Sequence, residues 1–185
     1  LEADVTVLDV DVAKLKYLDD IYGNKIKTLY SNAGNLADQM KTADLVISTV
    51  LIPGAKCPHL ITMDMINSME AGSVIVDISI DQGGSTPVSK PTYHEAPTFV
   101  TENGVVMYCC ANMPGAMPKT SSYALANVTL KYGLAIADLG VAGAIEKYPE
   151  LAPGVNTYEG KLVYKPVWDA FPHLKLDDLN ESMAG

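Results

Sequence analysis

The sequence predicts an α/β fold, a doubly wound parallel sheet with helices on both faces, and two observations carry that prediction. Short apolar, β-branched runs alternate with segments of helical periodicity from Val5 to about Cys110. The strongest of these runs, Ser73 to Ile80, is apolar almost without interruption, whereas a strand with one wet face would alternate. Strands of that kind are covered on both faces and belong to parallel sheets. Each strand–helix–strand crossover is then expected to be right-handed.

Taken in chain order, Val5 to Val10 reads as a first strand ending in acids, and Asp11 can cap a helix whose Leu15, Leu18 and Tyr22 share one face. Gly23 closes that helix. Ile26 to Tyr30 reads as the second strand, Leu36 to Met40 as a short helix and Leu45 to Val50 as the third strand. After the loop from Pro53 to Pro58, Thr62 caps a helix to Met69 that turns Met65, Ile66 and Met69 inward. Ser73 to Ile80 follows as a strand, Gln82 to Pro97 as a loop rich in Gly, Ser, Thr and Pro, and Val105 to Cys110 as the last strand. Beyond Pro118 the rhythm changes to a long helix, Ser121 to Leu139, with Tyr123, Ala126, Leu130, Leu134 and Ala137 along one side. A short helix and a stretch punctuated by Gly and Pro lead from Gly140 to Phe171, and Asp177 to Gly185 is expected to fray.

A chain of 185 residues has room for one domain with a full core, or one domain plus part of another. Its net charge of −9, from 13 basic against 22 acidic residues, argues against a surface that tracks nucleic-acid phosphates. No membrane span is expected, because no apolar stretch is read as approaching the ~20 residues that one needs. The odd set Cys57, Cys109 and Cys110 reads as reduced, which suits a cytoplasmic chain. The first residues lack the basic flank and apolar core of a signal peptide. His59, His94 and His173 show no metal-ligand spacing, and no serine sits in a nucleophile elbow.

The chemistry gathers at strand ends. Asp9 lies where doubly wound nucleotide-binding folds place an acid that hydrogen-bonds the adenosine ribose, and an anion there disfavours a 2′-phosphate, selecting NAD over NADP. Asp9 or Asp11 also fits a plain helix cap. The matching glycine fingerprint belongs about 20 residues upstream of such an acid, and eight residues precede Asp9. A Rossmann-type sheet lacking its first strand and glycine-rich loop is therefore expected, as in a fragment of a longer protein that does not start at Leu1. Asp77 and Asp81 flank the end of the strongest strand, and Asp81 opens Asp81-Gln82-Gly83-Gly84, where two glycines allow close backbone approach to a ligand. An ordinary polar turn fits the same residues. Val50-Leu51-Ile52-Pro53-Gly54 and Ala111-Asn112-Met113-Pro114-Gly115 end strands on that edge with apolar side chains and an amide suited to adenine and nicotinamide.

In order, the segments VTVLDV, ADLVISTVLIPGAK, GSVIVDISIDQGG, MYCCANMPGAMPKTSSYALANVTL and NTYEGKL resemble the alanine dehydrogenase family from about Asp4 to Phe171. The resemblance implies reversible NAD-dependent oxidative deamination of L-alanine to pyruvate and ammonia, in amino-acid catabolism, by a two-domain cytoplasmic subunit of a homo-oligomer, usually a hexamer. It implies that Asp9 binds the adenosine ribose with Lys14 nearby, that Ser31, Val50 and Leu51 line the adenine and ribose side, and that Asn112 and Met113 hold the nicotinamide end. Ile78 and Asp81 would approach nicotinamide and substrate, with Asp81 the catalytic carboxylate. The family's acid–base histidine, and the Arg and Lys that grip the substrate, belong to an N-terminal substrate domain with no counterpart here. Residues 1–118 would form the NAD-binding domain, incomplete at its N-terminus, and residues 119–185 the linking helix and the C-terminal segment of the substrate domain. Ser85 and the pair Cys109-Cys110 depart from the family's usual pattern. A nucleotide-binding or regulatory module without activity, or a transhydrogenase α-type subunit, are the alternative readings.

Overall fold

The computed structural model describes residues 3–50, 52 and 56–184. The chain divides into two compact units, Leu1–Leu51 with Cys57–Ala111, and Ile52–Lys56 with Asn112–Gly185.

The first unit alternates strands and helices in the order β1 (Val5–Asp9), α1 (Val12–Tyr22), β2 (Ile26–Tyr30), α2 (Ala33–Met40), β3 (Leu45–Ser48), α3 (Met63–Asn67), β4 (Val74–Asp77), β5 (Thr98–Val100) and β6 (Val106–Tyr108). β1 and β2 pair in parallel, with Val5 opposite Ile26 and Asp9 opposite Tyr30. The other sheet has the order β3-β4-β6-β5, parallel except for β5, which runs against β6. This is the mixed α/β architecture of Rossmann type that the alternation predicts. Among the described residues β1 and β3 each pair along one edge only.

Local chemistry sets the helix starts. The Asp11 carboxylate accepts the amides of Ala13 and Lys14, Asn32 accepts that of Asn35, and Thr62 that of Met65, so each helix has orphan N–H groups satisfied at its first turn. The Asn32 cap starts α2 at Ala33, three residues ahead of the expected Leu36, within the usual scatter of helix ends. Gly23 ends α1 with φ 53°, a left-handed conformation that glycine adopts without penalty.

The core forms between the β3-β4-β6-β5 sheet and α2 and α3. Met40, Ile66, Ile75, Val105 and Met107 are fully enclosed there. On β3 the picture reverses: Leu45 is 55% and Ile47 57% exposed, although both lie on a strand of the kind that is normally covered on its two faces.

Three expectations are corrected in this unit. The strand expected to reach Ile80 stops at Asp77, because the Asp77 side chain captures the amide of Ser79 and turns Ile78–Gln82 into a 3-10 helix. The last strand is shorter than the expected Val105 to Cys110. A further strand, β5, pairs with it, Phe99 opposite Met107.

The second unit holds a 3-10 turn (Met113–Ala116), the long helix α4 (Pro118–Lys147), a 3-10 helix (Pro149–Gly154), the hairpin β7 (Thr157–Tyr158) and β8 (Lys161–Leu162), and the short helices α5 (Lys165–Ala170) and α6 (Leu179–Ala184). α4 runs well past the expected Leu139 and kinks at Gly140, whose φ of 70° interrupts the helical geometry. The expected single apolar side is not found: Tyr123, Leu125, Val128, Leu130, Leu134 and Leu139 are all exposed, around the helix. By length and composition alone α4 is apolar enough to cross a membrane, with a mean hydropathy of 1.4 over its most apolar window, which corrects the sequence reading on that point. At the C-terminus the expected fraying gives way to α6, where the Asp178 carboxylate accepts the Glu181 amide at 3.0 Å.

Candidate functional site

Parallel pairing brings the carboxyl ends of neighbouring strands to a common edge. In the β1-β2 sheet that edge carries Asp9, Tyr30 and Ser31; in the other it carries Ser48 and Val50, then Asp77 to Asp81, then Tyr108 to Cys110. Ligands of open α/β sheets bind outside such an edge.

Asp9 is half-buried at the end of β1. Its Oδ1 accepts the Asp11 amide at 2.8 Å, while Oδ2 has no partner among the described residues and is available to accept hydroxyl groups. Ser31 is locked to the same place by its amide, which donates to the Asp9 carbonyl at 2.9 Å. The two cap readings resolve here: Asp11 caps α1, and Asp9 does not. Lys14 is exposed, with Nζ 3.9 Å from Asp11 Oδ2. An exposed pair at that separation contributes little to stability.

The loop after β4 gives its two carboxylates different surroundings. Asp77 is completely buried and faces its own loop, not a ligand edge. Its Oδ1 accepts the Ser79 amide at 3.0 Å, and its Oδ2 accepts the Ser85 amide at 2.8 Å and the Ser89 hydroxyl at 2.5 Å. Asp81 is exposed and makes no hydrogen bond or ion pair among the described residues. Ile78, beside it, is 48% exposed, so an apolar surface lies next to the free carboxylate. The backbone beneath is well tied: Gly83 donates to Ile80, Gly84 to Ser79, and the amides of Cys57 and Ile61 donate to the carbonyls of Gln82 and Ser85. Ser85 Oγ is buried without a partner among the described residues.

Buried thiols border this network. Burial pushes the Cys57 thiol above its ordinary value, and the Asp77 charge adds to the rise. Burial raises Cys109 too, with Asp77 again contributing. None of the three cysteines is in a disulfide, and neutral buried thiols are poor nucleophiles. Cys110 Sγ lies 3.5 Å from His94 Nδ1. Among the described residues no cluster of His, Cys, Asp and Glu could hold a metal ion.

Val50 is half-buried, and its carbonyl faces Cys57 Sγ at 3.9 Å. Leu51 lies outside the described residues. Asn112 and Met113 belong to the second unit. Asn112 has φ 54° and ψ 52°, a left-handed conformation uncommon outside glycine, and it immediately precedes the 3-10 turn that Met113 opens. Strained residues of this kind cluster at ligand sites. The residues that sequence reasoning missed are Ser85 and Ser89, which reach Asp77 across eight and twelve positions of sequence.

Parallel strands joined by helices, with an acid at the end of β1 and a glycine-bearing turn after β4, define a Rossmann-type α/β unit. Over residues 1–165 the sequence matches the family "Alanine dehydrogenase/PNT, C-terminal domain", and the chain belongs to that family. It is 51% identical over 166 residues to the alanine dehydrogenase of Methanococcus maripaludis, covering 89% of this chain and 44% of that protein. With the alanine dehydrogenase of Halomonas elongata it shares 48% identity over 171 residues, 92% of this chain and 46% of the relative. A solved L-alanine dehydrogenase structure superposes with a TM-score of 0.80 at 40% identity, covering 94% of this chain and 47% of that one. The chain thus spans about half the length of the curated relatives it matches.

Proposed function

We propose that this chain is the nucleotide-binding portion of an NAD-dependent alanine dehydrogenase subunit, which converts L-alanine reversibly to pyruvate and ammonia. Asp81 carries the reading: a solvent-facing carboxylate without a partner of its own stands on a loop whose backbone is bonded on both sides. The substrate comes from the relatives named alanine dehydrogenase, which share about half of their residues with this chain over the matched region.

In this reading Asp9 accepts the adenosine ribose hydroxyls through Oδ2 and repels a 2′-phosphate, while Ser31, Val50 and Leu51 border the adenine and ribose and Lys14 stands nearby. Ile78 approaches the nicotinamide, and Asn112 and Met113 hold the nicotinamide end. NAD, when bound, supplies the hydride acceptor. Asp81 hydrogen-bonds the substrate nitrogen and oxygen, and moves their protons in the carbinolamine and imine steps. Acid–base and carboxylate-binding groups come from the rest of the subunit. We place the NAD-binding domain at residues 1–118 and the linking helix and substrate-domain segment at 119–185, within a cytoplasmic homohexamer.

A strand donated by the rest of the subunit between β1 and β3 would satisfy both unpaired edges. The exposed apolar side chains of α4 are assigned to packing within the subunit or hexamer; Lys131 and Asp138 on that helix would be costly in a bilayer. The test is alanine-dependent NADH formation by the full-length protein. Turnover with L-alanine is expected, and turnover with another amino acid but not alanine would refute the substrate assignment.

A further inference from the structure

Among the described residues Asp77 is the only buried charged side chain, and the chemistry assigned to Asp81 leaves it unused. A buried carboxylate is retained only where hydrogen bonds offset its desolvation, so its partners reveal its task. By accepting one of them, the Ser79 amide, Asp77 caps the 3-10 helix after β4, and an asparagine could do that equally well. The other two, the Ser85 amide and the Ser89 hydroxyl, both meet Oδ2 and serve no cap. They tie the chain on the far side of Asp81-Gln82-Gly83-Gly84 back to the strand end before it. Gly84 closes the packing: a Cβ there would sit 3.0 Å from Asp77 Oδ2 and 2.3 Å from Ser89 Cβ.

We propose that Asp77 is a positioning residue that fixes the Asp81 loop by bridging Ser79 on one side of it to Ser85 and Ser89 on the other. The proposal rests on the reading of Asp81 as the catalytic carboxylate. Asp77 holds the loop backbone in one geometry before any ligand binds, and Asp81 then meets the substrate without a reordering step.

Asp77→Asn in the full-length protein tests this, because asparagine has one acceptor oxygen where Asp77 uses two. At least one buried donor is left unmatched. In the ligand-free variant the Ser85 amide is expected to exchange with solvent about tenfold faster or more. kcat with L-alanine is expected to fall about tenfold to a hundredfold, with NAD affinity changed by less than about threefold. In an Asp81→Asn background, Asp77→Asn is expected to cost less than about twofold further, since a positioned group that is already disabled cannot be misplaced again. Unchanged Ser85 exchange, or losses that multiply in the double variant, would overturn the proposal.

If Asp77→Asn does not fold, Ser89→Ala removes only the hydroxyl, and the same exchange and kcat readings are expected to move by about two- to tenfold. No change in Ser89→Ala would overturn it equally. Full alanine turnover in Asp81→Asn would instead remove the catalytic reading of Asp81, while the exchange of Ser85 still decides whether Asp77 holds the loop.

Discussion

Replacing Gly84 by alanine should destabilise the first unit far more than the same change at Gly72, and the structure allows the difference to be worked out. Both glycines have positive φ, +82° at Gly84 and +94° at Gly72, so an added Cβ costs about 1–2 kcal/mol at either site from backbone strain alone. The surroundings differ. At Gly72 nothing lies within 4 Å of the new carbon, whereas at Gly84 it would fall 2.3 Å from Ser89 Cβ and 2.9 Å from Ser89 Oγ. Relieving that overlap moves the loop and costs about 1–3 kcal/mol more. Gly84→Ala is therefore expected to lose about 2–5 kcal/mol and Gly72→Ala about 1–2 kcal/mol. Urea unfolding of both variants, compared at a common denaturant slope, measures the difference. Adding Ser89→Gly to Gly84→Ala should recover part of the loss. If Gly84→Ala is no less stable than Gly72→Ala, the packing of the Asp81 loop against Ser89 is not what the structure describes.

In the full-length protein, Asp81→Asn is expected to lower kcat by about 10²–10⁴-fold with a far smaller effect on NAD affinity; equal losses in both would make Asp81 a cofactor-binding group. Asp9→Ala should weaken NAD binding about tenfold or more by removing a charged acceptor and should narrow the preference for NAD over NADP; an unchanged ratio of the two affinities would sink the ribose assignment. Stability should decline at alkaline pH through Cys57 and Cys109. Their folded pKa values are raised above the ordinary 9.0, so their contribution is complete below that value and is lost as pH rises through the folded values. Urea midpoints taken from neutral pH to about pH 10 should fall, less steeply in Cys109→Ala than in the parent; identical slopes would contradict the assignment.

What could be read from the sequence was set by local hydrogen bonds and by apolar periodicity. Asp11 and Thr62 cap helices as their positions predict, and β1 and β2 pair as parallel neighbours. The end of β4 could not be read so directly, because Ile78-Ser79-Ile80 continues the apolar run and only the reach of Asp77 to the Ser79 amide turns the chain. An acid two residues ahead of such an amide was the available signal. β5 is three residues long and exists through its pairing with β6, a partner that no local pattern names. For the candidate site, Asp9 and Asp81 were legible as acids at strand ends. The enclosure of Asp77 was not, since it depends on Ser85 and Ser89 folding back over its carboxylate. The kink of α4 at Gly140 and the left-handed Asn112 are set by tertiary context, although glycine and asparagine are the residues that tolerate such geometry.

The most direct measurement is backbone hydrogen exchange of the full-length protein with and without NAD. Slower exchange on NAD binding is expected in the segments holding Asp9 to Lys14, Ser31, Ile78 to Gly84, and Asn112 with Met113, with less protection around Asp9 when NADP replaces NAD. Protection confined to other segments, with these unchanged at saturating NAD, would contradict the placement of the cofactor along the carboxyl edge of the sheets.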